Sequence, residues 1–262
     1  MTDAIDGLVI QRRGPALVLT MTNPGRKNAF YPEMRSRIAE AIAGAASDAA
    51  VRAVVLTGAE GHFCSGADLR RVSDADNGPL AVRERLKSVH RLLELIVGGA
   101  KPTIAAVEGD AFGAGMSMAA AADVVIAARG ARFGASFAKI GLLPDMGLLY
   151  TLPLRVGLPK ARRLMMTART IAAEEAAAIG LVDELTVEGG ALERALAVAA
   201  EFEASAPLSL AAIKAAMAQG LVGIDDVARF ELNTVPGLAN TEDHLAARKA
   251  FLEKSQAVFV GR

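Results

Sequence analysis

TIAAVEGDAFGAGMSMAAAADVVIA, running from Thr103 to Ala127, holds the strongest local pattern in this 262-residue chain. Thr103–Val107 is a short apolar run with the length and composition of a buried strand. A turn over Glu108, Gly109 and Asp110 follows, then Gly113-Ala114-Gly115, then an alanine-rich segment ending at Asp123. Val124–Ala127 restores the strand pattern. Strand, glycine turn, helix and strand thus succeed one another as in a parallel-sheet unit. Backbone N–H groups at a helix start are unpaired and sit at the positive end of the peptide dipoles. Glycines there let an oxygen bearing negative charge approach closely. They serve equally to make a tight turn and to let backbones pack, so the segment alone leaves both roles open.

Outward from that stretch, the composition narrows the possible functions. Hydrophobic residues make up 52% of the chain, enough for a sizeable core without disulfides or metals. No apolar run reaches the roughly 20 residues that span a bilayer, and alanine-rich helices account for the hydropathy. Lys+Arg and Asp+Glu both number 29, so no broad charge field points to nucleic acid. Aromatic content is 4% with no tryptophan, which argues against a base-stacking surface. The single Cys64 excludes an internal disulfide framework and fits a reducing compartment. MTDAIDGLVI has neither the basic nor the apolar region of a secretion signal, so a cytoplasmic location is expected. The three histidines are scattered without metal-ligand spacing, so no metal site is expected.

In chain order, Leu8–Arg13 and Ala16–Thr22 flank Gly14-Pro15 as a hairpin. Pro24–Ala29 is a polar loop. From Pro32 to about Ala50, Met34, Ile38, Ala41, Ile42 and Ala45 recur at helical spacing, with a proline suited to the first turn. Val51–Thr57 is a buried strand that runs into the loop Gly58–Leu69. The chain therefore contains two strands ending in glycine turns, Val51–Ala67 and Thr103–Ala114. Arg70–Pro79 is polar and is expected to be mobile. An amphipathic helix over Leu80–Val97 closes on Gly98-Gly99. Beyond Ala127 come short strands or turns around Phe133, Phe137 and Ile140, and helices from about Met146, from Leu158 to Thr167 and over Ala172–Ile179. A strand-like exit follows at Leu181–Leu185. The final third is helical, over Ala191–Ser205, Pro207–Gln219, Ile224–Asn233 and Thr241–Lys254. No sequence period of solenoid length is visible, although strand-strand-helix turns can stack as a spiral without one.

Six pieces, in this order and spacing, resemble the crotonase family, also called the enoyl-CoA hydratase/isomerase family, over almost the whole chain. They are RKNA (Arg26–Ala29), AVVLTG, FCSGADL (Phe63–Leu69), KPTIAAVEGDAFGAG (Lys101–Gly115), AAIGLVDEL (Ala177–Leu185) and the tail AFLEKSQAVFVGR (Ala250–Arg262). The resemblance implies an α/β fold, a crotonase-like ββα spiral core over residues 1–200. A C-terminal helical region over 201–262 would oligomerise and cover the active site, giving a homotrimer or a dimer of trimers. It implies an acyl-CoA substrate, with no cofactor beyond the coenzyme A of that substrate and no nucleic-acid or membrane partner.

By the same match, the backbone N–H groups of Ala67 and Ala114 form an oxyanion hole for a thioester carbonyl. Two such donors acidify the neighbouring carbon because the enolate oxygen gains charge where they point; each is worth about 2.7–4 kcal/mol of barrier in comparable sites. Gly113 shapes the second turn. Family analogy sets the adenine against Asp68 and Leu69, Lys27 and Ala29 along the pantetheine and pyrophosphate, and Phe251 and Lys254 over the nucleotide. The lysines supply the point charges that phosphates need. Ser255 and Gln256 interrupt the basic run usual in this tail.

Hydratases of this family use two glutamates, and the matching positions hold Ser117 and Phe137, neither of which is a carboxylate base. Asp145, in KIGLLPDMG, is the remaining candidate. Single-aspartate isomerases of the family carry a similar pattern, and an apolar setting of Leu142, Leu143, Met146 and Phe137 would raise its pKa. Asp145 before a helix at Met146 is also a plausible N-cap. The leading expectation is an enoyl-CoA isomerase with Asp145 as proton shuttle. The alternatives are an enoyl-CoA hydratase, an aryl-CoA dehalogenase or hydrolase with Asp145 as nucleophile and His90 as base, and a non-catalytic acyl-CoA binder. Phe137 stands where the dehalogenases place a tryptophan, which weakens that third reading.

Overall fold

A computed structural model describes residues 3–5, 7–71 and 78–262 of the chain. The expected hairpin forms from β2 (Leu8–Arg13) and β3 (Ala16–Met21), turning at Gly14 with φ of 59°. A short β1 (Asp3–Ile5), which the sequence pattern does not announce, adds antiparallel to β2. From β3 the sheet becomes parallel, through β4 (Ala53–Gly58), β5 (Thr103–Val107), β7 (Val124–Ala128) and β10 (Glu184–Thr186). The expected turn at Asp110 is instead the start of β6 (Asp110–Phe112). This strand belongs to a second sheet with β8 (Arg132–Gly134) and β9 (Thr170–Ala172).

The central strands read as unbroken apolar runs because both their faces are covered. Val54, Leu56, Ala105 and Val107 face the main core with α1 (Pro32–Ala45), α2 (Pro79–Gly98) and α3 (Ala114–Ala121). Their neighbours Ala53, Val55, Ile104 and Ala106 face a second core against Ala191, Ala195 and Val198 of α7 (Ala191–Glu201). Every residue of α3 is buried, which is why that helix carries only small residues, methionine and Ser117.

Successive turns stack as in the ββα spiral. The loop after β4 runs beside β6, with the N–H of Phe63 donating to Glu108 O at 2.8 Å and that of Cys64 to Asp110 O at 2.9 Å. A methyl group on Gly115 would lie 2.2 Å from Cys64 O, so only glycine lets α3 start against that loop.

Several element ends differ from their sequence signals. α1 stops at Ala45 because the next residues turn, with Asp48 Oδ1 accepting from Ala50 N at 2.8 Å. The helix expected at Met146 begins only at Leu148, as α4 (Leu148–Val156), because Met146 and Gly147 both take positive φ. α5 (Leu158–Thr167) and α6 (Ala173–Ala178) follow, then α7, α8 (Pro207–Ala218), α9 (Ile224–Leu238) and α10 (Glu242–Glu253). α9 runs past Asn233 through Pro236, which sits in the last turn and deletes a single helical bond. Lys214 pins α8 to the core, donating to Ile96 O at 2.8 Å and pairing with Asp123. The Arg70–Pro79 expectation falls largely on residues 72–77, outside the described residues. Among the described residues, no single helix is long and apolar enough to cross a membrane.

Candidate active site

The two glycine turns converge. Gly66, with φ of 104°, immediately precedes Ala67, and Gly113, with φ of 51°, immediately precedes Ala114. L-residues other than glycine rarely take such angles, so glycine at both positions is a backbone requirement. The turns touch: a methyl group built on Gly113 would lie 3.7 Å from Gly66 Cα, and one on Gly66 would lie 3.1 Å from Phe112 O. Phe30 holds the first turn in place, its N–H donating to Gly66 O at 2.7 Å and its carbonyl accepting from Asp68 N at 2.9 Å. Gly113 N donates to Gly134 O at 2.9 Å and fixes the second. None of these bonds uses the N–H of Ala67 or Ala114, and among the described residues neither amide has a backbone acceptor. Ala114 opens α3, where the helix dipole adds to its pull on an anion.

Ala67 and Ala114 line one cavity of about 830 Å³, and Asp145 and His90 line it too. Asp145 is presented by the reversal at Met146 and Gly147, with φ of 51° and 73°. A non-glycine residue at such an angle stores strain, typically about 1–3 kcal/mol, and such strain clusters at functional sites. Gly147, with no side-chain cap, holds the N-cap position of α4, so Asp145 is not the cap that its position before a helix suggested. Asp145 Oδ1 is buried without a hydrogen-bond donor. Burial raises its pKa above the ordinary carboxylate value, and the charges of Arg85, His90 and Arg35 pull it part of the way back. A carboxyl in this state can both accept and release a proton nearer neutrality.

The remaining expected residues divide. Asp68 and Leu69 line the cavity, and Asp68 is held by Asn23 Nδ2 at 3.4 Å and Arg71 at 3.8 Å. Lys27 is half exposed, but its Nζ donates to Asp110 at 2.7 Å and the residue lies outside the cavity lining. Ala29 is buried beside it, its carbonyl accepting from Asn23 at 2.9 Å. Ser117 is fully buried in α3, its hydroxyl donating to Gly113 O at 3.2 Å. Phe137 packs in the main core rather than on the cavity wall, so it supplies none of Asp145's apolar lining there. Phe251 and Lys254 are exposed at the end of α10, away from the lining. Burial pushes the Cys64 thiol up to about 12, which leaves it unreactive near neutrality.

A sequence model described as Enoyl-CoA hydratase/isomerase matches residues 12–262. This chain belongs to the enoyl-CoA hydratase/isomerase, or crotonase, family. It is 36% identical over 247 residues to a Rhodobacter capsulatus protein named "Probable enoyl-CoA hydratase", covering 94% of each chain. It is 32% identical over 256 residues to the 2,3-dehydroadipyl-CoA hydratase of Escherichia coli, covering 97% of this chain and 99% of that one. The crystal structure of an enoyl-CoA hydratase from Polaromonas sp. JS666 superposes with a TM-score of 0.89 at 32% identity, covering 96% and 99% of the two chains. The crotonase fold and an enzyme of this family are thereby fixed. Nothing in these comparisons ranks isomerisation above hydration.

Arg35 and Arg85, cavity residues whose charges act on Asp145, were not named from sequence. Arg35 falls among Met34, Ile38 and Ile42 on the buried stripe of α1, and that position in a helical repeat was its signal. Arg85 on α2 carries no comparable mark.

Proposed function

We propose that this crotonase adds water to the double bond of a 2-enoyl-CoA thioester, and removes it in reverse, with Asp145 as its acid–base group. The observation that supports this most is a single cavity lined by Ala67 and Ala114, whose N–H groups lack a backbone acceptor, and by Asp145 with its orphan buried oxygen. The two amides receive the thioester oxygen as charge collects on it. Asp145 takes a proton from water as the oxygen bonds to C3, and returns that proton to C2 as the enolate collapses. Names of relatives weigh the same way, since those of Escherichia coli and Rhodobacter capsulatus are hydratases. No cofactor beyond the substrate's coenzyme A is needed for these steps.

A second reading, the isomerisation expected from sequence, draws on one observation. Ser117 and Phe137 are tucked away from the cavity, so neither matched position supplies a second polar group to orient water. A lone carboxylate suffices to take a proton from C2 of a 3-enoyl-CoA and give it back at C4. One assay separates the two readings: hydration consumes the conjugated absorbance of a 2-enoyl-CoA, whereas isomerisation of a 3-enoyl-CoA creates it. A panel of chain lengths showing neither change would overturn both.

Asp68 and Leu69 would meet the nucleotide end. Exposed apolar residues on the last three helices, among them Ile213, Met217, Leu232, Val235 and Leu252, would be covered by further copies in a homotrimer or a dimer of trimers. Light scattering on the purified protein measures that assembly.

A further inference from the structure

α1 turns Met34, Ile38, Ala39, Ile42 and Ala45 inward, and Arg35 is the one charged residue on that face. Arg35 is 8% exposed and lines the cavity, and its Nε has no hydrogen-bond acceptor among the described residues. Burial lowers its pKa most, and the like charge of Arg85 lowers it further. Asp145 is close enough for its charge to offset part of this, yet its Oδ1 and Arg35 Nε both stay unpaired. Arg71, another arginine of the lining, is already engaged by Glu33, Asp68 and the ring of Tyr31. Arg35 therefore places a largely buried guanidinium on the wall of the space that the acyl group occupies under the proposed function. A hydrocarbon chain placed there would leave its N–H stranded, and a stranded charged donor is costly.

We propose that the preferred acyl group carries a carboxylate, which accepts hydrogen bonds from the Arg35 guanidinium. A guanidinium suits this task, since its planar fork matches a carboxylate and stays charged when withdrawn from water. The chemical class is then an acyl-CoA of a dicarboxylic acid, with its free carboxylate reaching the floor of the cavity near Asp145.

The inference rests on acyl-CoA binding in this cavity, and its test is a binding measurement independent of turnover. Calorimetric titration compares succinyl-, glutaryl- and adipyl-CoA with their uncharged counterparts butyryl-, pentanoyl- and hexanoyl-CoA. The best charged ligand should bind at least about tenfold more tightly than its counterpart, as a charge-assisted hydrogen bond implies. In Arg35→Met that ratio should fall to about one or below, with the uncharged affinities retained, because Met suits an apolar stripe. Arg35→Lys, a second variant that keeps the charge but loses the fork, should fall between. A ratio near one in the wild type overturns the proposal, as does a ratio that survives Arg35→Met. Turnover of uncharged enoyl-CoA that collapses in Arg35→Met at unchanged affinities would make Arg35 a holder of water instead, and also overturns it. Failure of every thioester to bind would remove the acyl-CoA reading itself.

Discussion

Asp110 and Asp145 are two carboxylates drawn out of water, one at the start of β6 and the other in the cavity lining. Asp110 receives Lys27 Nζ at 2.7 Å and two nitrogens of Arg132 at 2.9 and 2.6 Å, and is 2% exposed. Asp145 lines the cavity, and its buried Oδ1 accepts nothing. Burial pushes both pKa values up. At Asp110 the hydrogen bonds and charges of Lys27 and Arg132 outweigh it and hold the group below the ordinary value, whereas at Asp145 burial prevails. Filled lone pairs fix Asp110 as an anion that braces β6 against Lys27 and β8. An unfilled oxygen leaves Asp145 able to change protonation state. The difference between bracing and chemistry lies in the partners supplied, because burial pushes on both groups in the same direction.

The largest effect that sharpens this contrast belongs to Asp145→Asn. Loss of the acid–base group should lower kcat by about 10²–10⁴-fold, while a saturated acyl-CoA keeps nearly its wild-type affinity by calorimetry. Stability should move the other way. A folded-state pKa raised above the unfolded value means that folding is favoured by protonation and loses stability as pH climbs between the two. Asn removes that penalty, so the variant should melt higher than wild type at neutral pH. The two should converge below the unfolded carboxylate value of about 3.9. A variant that melts lower at neutral pH would make Asp145 a brace like Asp110, and the contrast would collapse.

Next in size is the backbone. Ala114→Pro deletes one N–H at the first position of α3, where proline suits a helix start. The expected loss is about 10²–10³-fold in kcat, with circular dichroism unchanged. Ala114→Gly, which keeps the N–H, should retain most activity. Equal losses in both would mean that the methyl group, and not the amide, matters.

These amides were named from sequence by the family resemblance, and the structure supplies the physical reason: a glycine at positive φ stands before each alanine, and the two turns touch. Asp145 was named by the same resemblance, because Ser117 and Phe137 stand at the matched glutamate positions and some members keep an aspartate where Asp145 lies. Arg35 was passed over, because a charged residue on a helix normally faces water, although its place among Met34, Ile38 and Ile42 in the helical repeat marked it as turned inward. β6 was passed over too, since three residues pair there only because the loop after β4 and β8 lie on either side. Lys27 was placed along the pantetheine and pyrophosphate by family analogy, and in the fold its Nζ is paired with Asp110, distant in sequence.

Asp110→Asn tests the bracing half. Hydrogen bonds to a charged group contribute about 1.5–3 kcal/mol, and half-exposed Lys27 and Arg132 regain water, so the lower end is expected. Each kcal/mol lost lowers Tm by about 2–4 °C in a chain of this size. The contribution of a depressed carboxylate is present above its unfolded pKa and disappears as pH falls through its folded one. The gap between wild type and variant should therefore be full at neutral pH and close in acid, below 3.8.

The smallest expected effect is the most pointed. Ser117 stands at a position where hydratases of this family place a carboxylate. Here its hydroxyl is fully buried and donates to Gly113 O at 3.2 Å, one turn back along α3. Such a back-bond is nearly neutral for a helix, and alanine suits the position better in propensity. Ser117→Ala should leave kcat unchanged within experimental scatter and Tm level or slightly higher. If turnover instead fell by the factor expected for Asp145→Asn, the hydroxyl would have to reach a water in the cavity. Proton transfer would then be shared between α3 and the Asp145 turn, and no longer rest on one carboxylate.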